Sequence, residues 1–125
     1  AVELDGELTQ VWLPLYQLRH SLGDMDGARE ALLRFHRSTP QSNDYWSVSQ
    51  ALLARLDGDH DAAIGILLDL RGRVSDERAR ELRLHRHLGF AYVGSCLDVA
   101  RQDPASVDPA FLEEAQRYLE LAVQD

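Results

Sequence analysis

The chain has 125 residues, 45% of them hydrophobic and 27% charged, with a formal net charge of −8. That length and composition suit one globular domain around a single core. No run is long and apolar enough to span a membrane, and the acidic balance argues against the basic, counterion-displacing face on which nucleic-acid binding depends.

The opening stretch, AVELDGELTQ, has neither the basic start nor the apolar run of a signal peptide. No initiator Met precedes it, so a piece of a longer protein is expected. Beyond it, apolar residues recur at steps of three and four, the stripe of amphipathic helices, and no stretch alternates as a strand does. A first helix over 8–22 carries Trp12, Leu15, Tyr16 and Leu18 on its stripe. Pro14 would remove a hydrogen bond inside it, so this helix starts near Leu13 or is kinked there. Gly23 can close it in the left-handed conformation, and Asp24 can cap a second helix over 24–38, striped by Ala28, Ala31, Leu32 and Phe35. Pro40 ends that segment, and Ser42 or Asn43 caps a third helix over 43–57, with Trp46, Leu52, Leu53 and Leu56. Gly58 and Asp59 then repeat the Gly-Asp joint 35 residues after its first copy and open a fourth helix over 59–73. Joints this short force antiparallel neighbours. Ser75, Asp76 and Glu77 open a fifth helix over 76–102, on the order of 40 Å long. Gly89 and Gly94 could divide it, but neither is followed by a capping residue, and one continuous helix is expected. DPASVDP, residues 103–109, is a linker in which Asp108 caps and Pro109 begins a sixth helix over 109–124.

The spacing resembles the tetratricopeptide repeat, whose pattern runs W-x2-L-G-x2-Y, then A-x3-F, then P. Trp12 and Leu15, Ala28 and Leu32, and Pro40 fit one repeat, about 9–42. Ala51, Ala63, Leu67 and Leu70 fit a second, about 43–75. Leu88, Gly89 and Tyr92 with Ala115, Leu119 and Ala122 fit a third, about 76–124, stretched by about fourteen residues. Tyr16 stands where the pattern has Gly, and Arg19 where it has Tyr. The resemblance implies an all-α fold in which antiparallel hairpins stack as a right-handed solenoid of about six helices. A hairpin alone cannot bury both apolar faces, so stacking follows from burial as well, and Ala28, Ala63 and Ala115 would let helices approach closely.

Nothing in the chain reads as an active site, a metal site or a cofactor site. His85 and His87 lie two apart, on different sides of a helix, whereas a helical metal pair needs three or four. DGDHD, residues 57–61, lacks the calcium-loop pattern and reads as turn and cap. Cys96 has no CxxC partner and reads as a packed thiol. As the only cysteine it excludes an intrachain disulfide and fits a reducing compartment such as the cytoplasm.

What the resemblance implies instead is a protein-protein interaction scaffold that holds a peptide or partner protein, one with an acidic segment, in a concave groove lined by the first helix of each hairpin. The corresponding positions are Gln10, Leu13, Gln17 and His20, then Tyr45, Val48, Ser49, Leu52 and Arg55, then Arg83, Arg86, His87 and Phe90. This set is more basic than the chain as a whole. Some members of the family clamp a partner's C-terminal carboxylate, and Gln17, Ser49, Arg83 and His87 would stand at comparable positions, with Leu13 in place of a basic residue. The simpler reading is that Arg83, Arg86 and His87 solvate the long fifth helix and pair with Glu77 and Glu81.

Two other roles stay open. The last helix carries Phe111, Leu112, Leu119 and Val123 with no further polar helix to shield them, which suits self-association as a homodimer. Equally, Phe111, Leu112 and Leu119 would face the fifth helix. The segment would also serve as an accessory, substrate-recruiting module of a larger enzyme. A fifth helix of that length would project and offer Gly94, Cys96 and Leu97 to a partner.

Overall fold

Burial, capping and one backbone break account for the fold. The computed structural model describes the backbone of residues 2–125 and the side chains of residues 11–125. Gln10, expected on the groove, therefore lies outside the described side chains. Helix makes up 83% of the chain, and no strand occurs among the described residues. The order is α1 (Val2–Ser21), α2 (Met25–Ser38), α3 (Asp44–Leu56), α4 (His60–Arg73), α5 (Asp76–Glu81), α6 (Leu84–Gln102), a 3-10 turn (Pro104–Ser106) and α7 (Pro109–Gln124). Pro14 lies inside α1, which begins before the expected start.

The two Gly-Asp joints adopt one geometry. Gly23 and Gly58 have φ of 80° and 82°, the left-handed region that glycine enters without a Cβ clash. In the first joint the Asp24 amide donates to the Arg19 carbonyl at 2.9 Å and the Gly23 amide to His20 at 3.1 Å. In the second, Asp59 donates to Ala54 at 2.8 Å and Gly58 to Arg55 at 3.0 Å. Both satisfy the last carbonyls of the preceding helix. The Asp24 and Asp59 carboxylates then accept from Gly27 and Ala62, capping α2 and α4. Asn43, Ser75 and Asp108 cap α3, α5 and α7 in the same way.

Each helix packs chiefly on its neighbours in sequence: α1 on α2, α2 on α3, α3 on α4, α4 on α6 and α6 on α7. Leucines 32, 67, 70, 82, 84 and 88 are fully buried, and alanines 28, 31, 51, 63, 79 and 91 have no exposure at all. Those alanines permit close helix approach while the leucines fill the space between.

The expected fifth helix is two helices, which makes seven where about six were expected. Neither Gly89 nor Gly94 divides it. The break falls at Arg83, a non-glycine residue with φ of 55° and ψ of 41°. Its cause is the burial of Leu82 (2% exposed) together with Leu84 (fully buried). Residues two apart on a continuous helix point to nearly opposite sides. Both leucines reach the core only because the chain turns between them. The part after the break is 19 residues long and lies between α4 and α7. It does not project, as a continuous helix would. Gly94 meets the His60 ring, Cys96 is buried, and only Leu97 of that expected trio is exposed.

A Cβ on Gly89 would stand 2.6 Å from Leu119 Cδ2 and 3.2 Å from the Leu119 backbone nitrogen, whereas one on Gly65 would meet nothing. Gly89→Ala is expected to destabilise the fold by about 1–2 kcal/mol through overpacking at the α6–α7 contact. Gly65→Ala should stabilise it by about 0.5–1 kcal/mol through helix propensity. Urea unfolding of both variants checks the pair, and equal effects would contradict the close approach.

Candidate functional site

The ends of α1, α3 and α5 and the start of α6 enclose a cavity of about 570 Å³. From α1 come Leu13, Tyr16, Gln17, His20 and Ser21, from α3 Tyr45, Val48, Leu52 and Arg55, and from α5 Glu81, followed by Leu82. Arg83, Arg86, His87 and Phe90 complete the lining. The left-handed turn at Arg83 sets this last group, because it starts α6 afresh with Leu84, Leu88 and Ala91 inward and leaves Arg83, Arg86 and Phe90 exposed.

The cavity's chemistry is dominated by guanidinium groups. Seven of the thirteen arginines form ion pairs with carboxylates among the described residues, but Arg55, Arg83 and Arg86 form none. Phe90 lies under two of them, with the Arg55 and Arg86 guanidinium carbons each 5.6 Å from its ring centre. Such cation–π contacts hold the planar groups in place. The Arg55 Nε is buried with no hydrogen-bond partner. Burial pushes the Arg55 pKa down, Tyr16 opposes that shift, and the Arg86 charge adds to it. Burial likewise raises the Tyr16 phenol, against the pull of Arg55. His87 is partly buried on the cavity wall, and its pKa is lowered to about 4 by burial first and then by Arg55, Arg86 and Arg83. At neutral pH the cluster therefore carries three positive charges beside a neutral ring. The one carboxylate on the rim among the described residues, Glu81, accepts from Arg78 at 2.9 Å.

Of the thirteen positions expected on the groove, eleven line this one cavity: Leu13, Gln17, His20, Tyr45, Val48, Leu52, Arg55, Arg83, Arg86, His87 and Phe90. Ser49 does not. It is fully buried, its Oγ donates to the Trp46 carbonyl at 2.9 Å and lies 2.6 Å from His36 Nδ1. A four-residue clamp of Gln17, Ser49, Arg83 and His87 is thus not assembled. The expected pairing of Arg83, Arg86 and His87 with Glu77 and Glu81 is also absent among the described residues. Glu77 and Glu81 stand at none of the three- or four-residue steps from these side chains, and Arg78 holds Glu81. Tyr16, Ser21, Glu81 and Leu82 line the cavity without having been expected there. For Tyr16 the signal was its place in the first helix, one turn from His20, whose ring lies 5.8 Å away.

The acids of DGDHD each have a structural partner. Asp57 pairs with Arg29, Asp59 caps α4, and Asp61 accepts from Ser95 at 3.0 Å. His85 points away from the cavity and contacts Asp125 at 2.8 Å. Burial, helped by Asp108, raises the Cys96 thiol. Of the expected self-association residues, Phe111 and Leu119 pack on α6, Phe111 edge-on to Tyr92 at 5.2 Å and Leu119 over Gly89. Leu112 and Val123 are 52% and 88% exposed. With the geometry in hand, the chain matches no protein-family model, no curated protein and no solved structure.

The His87 shift has a stability consequence with a definite sign. Above the unfolded value near 6.5 the ring is neutral in both states; between that value and about 4 the unfolded chain takes up the proton and the folded chain does not. Folding should therefore weaken as the pH falls through this window, by on the order of 2 kcal/mol from this residue. Urea unfolding of wild type and His87→Gln from pH 7 to pH 4 measures the difference, and parallel curves would show that His87 titrates normally.

Proposed function

We propose that the chain is a non-catalytic protein-protein interaction scaffold of the tetratricopeptide kind, holding a peptide or a segment of a partner protein in the cavity between α1, α3 and α6. The observation that carries this reading is the convergence itself. Side chains from three helices that are far apart in sequence meet at one open cavity rich in arginine and tyrosine, with Phe90 39% exposed. Aromatic and arginine side chains dominate binding energy at protein interfaces. The repeated joint and the neighbour-on-neighbour packing support a stack of hairpins α1–α2, α3–α4 and α6–α7. On this reading α5 is an insertion that carries the chain from the second hairpin to the third. No cofactor enters the proposal. An enzyme that contained this segment would use it to recruit a protein substrate.

Peptides selected from a displayed library, with affinities measured by fluorescence anisotropy, test the groove. Phe90→Ala should weaken binding at least tenfold, about 1.4 kcal/mol. Leu68→Ala, on an exposed part of α4, should leave it unchanged. Peptides that bind the Phe90 variant as well as wild type would place the interaction elsewhere.

A second reading, self-association, has its own observation. An almost wholly apolar trough of about 320 Å³ between α6 and α7 is lined by Val93, Cys96, Leu97, Ala100 and Leu112 among others. Exposed apolar surface of this kind marks contact sites. Sedimentation at rising concentration should show a dimer that Leu112→Asp abolishes. A monomer at every concentration would end this reading.

A further inference from the structure

We propose that the cavity contains an oxyanion subsite in which Arg55, Arg83 and Arg86 receive a doubly charged oxyanion carried by the bound peptide. The inference rests on the scaffold reading and gives the groove a chemical preference.

Four observations point to it. In a chain with 21 acidic residues and 13 arginines, three guanidinium groups stand together with no carboxylate partner among the described residues. Arg86 acts on Arg55 as a neighbouring like charge, so this clustering works against the unliganded fold. Second, Arg55 Nε is a buried donor with no hydrogen-bond partner among the described residues. Buried donors almost always have a partner, and one without invites a ligand acceptor. Third, the Arg55 and Arg86 guanidinium carbons each lie 5.6 Å from the Phe90 ring centre. A cation–π contact uses up no N–H donor, and guanidinium N–H groups match a carboxylate or phosphate pair of oxygens. Fourth, Arg83 occupies a left-handed backbone position that costs an L-residue energy and that glycine fills freely at the other two joints.

The charge balance sets the ligand class. The groups that face the three arginines are Tyr16, Gln17 and His20 from α1, Tyr45 from α3, Glu81 from α5 and His87 from α6 itself. Among the described residues Glu81 is the one carboxylate of this set, and Arg78 already pairs with it. A single carboxylate would leave most of the positive charge uncompensated. A phosphorylated side chain or two adjacent acidic residues would neutralise it more fully, and both present the same paired oxygens to the guanidinium forks.

The arginine Nε–H resonances of the full chain, followed by NMR, test the subsite. The probes are inorganic phosphate and succinate, with sodium chloride at matched ionic strength. Saturable shifts of Arg55 and Arg86 with phosphate or succinate but not chloride are expected, together with a rise in the His87 pKa as the positive field is compensated. Tighter binding of phosphate would favour a phosphorylated residue, and tighter binding of succinate would favour paired acidic residues. Arg83→Gly relieves the left-handed backbone and should keep or raise the melting temperature, and Arg86→Gln alters an exposed side chain and should keep it, while both weaken the anion at least tenfold. Shifts that fail to saturate, that chloride reproduces, or that survive in both variants would overturn the proposal. Selected peptides that still bind Arg83→Gly and Arg86→Gln at full strength would also overturn it and leave the groove standing. Anion binding in a chain that selects no peptide would keep the subsite and remove the scaffold.

Discussion

Leu82 and Leu84 both need the core, and an α-helix cannot turn residues two apart to the same side. From that conflict follow the short α5, the left-handed Arg83 and the fresh start of α6. Glu77 and Glu81 precede Arg83 and Arg86 by two, five, six or nine residues, never by the three or four that bring helical side chains together. Arg78 takes Glu81 while also reaching back to Asp44 at the start of α3. Burial of two leucines thus sets a group of cations at the mouth of α6, facing Arg55 from α3.

The surrounding charge makes that group unusual. Seven other arginines are tied to carboxylates within a turn of helix, as Arg34 with Glu30 and Arg73 with Asp69, or between elements, as Arg29 with Asp57, and Arg19 donates to the Gly27 carbonyl. The aspartates at the joints are spent on caps and on neighbouring side chains. The cavity is the place where positive charge, aromatic surface and a buried unsatisfied donor coincide in a chain of net charge −8. Binding there draws on local electrostatics against a repelling background, so it favours ligands with concentrated rather than diffuse negative charge.

What the sequence made legible was local. Gly23-Asp24 and Gly58-Asp59 could be read because a left-handed stop and a carboxylate cap act within a few residues, and the same holds for Asp108 and Pro109. The positions on the cavity were placed by the resemblance to the repeat, which assigns the groove to the first helix of each hairpin, and α1, α3 and the start of α6 contribute them. Ser49 escaped because a serine's hydroxyl can turn to its own helix, here to the Trp46 carbonyl, and leave the groove unserved. The break at Arg83 escaped for a different reason. No glycine, proline or cap marks it, and its cause lies in long-range burial that no local window contains. Leu112 and Val123 remain exposed while Phe111 and Leu119 turn inward, a division set by the rotation of α7 against α6.

The central claim is that the cavity between α1, α3 and α6 holds the ligand, with Arg55 completing its hydrogen bonds there. A crystal structure of the protein with its tightest selected peptide addresses this directly. The account predicts a peptide oxygen at hydrogen-bonding distance, about 3 Å, from Arg55 Nε. A peptide seated instead in the apolar trough between α6 and α7, with Arg55 Nε still unpaired, would contradict it.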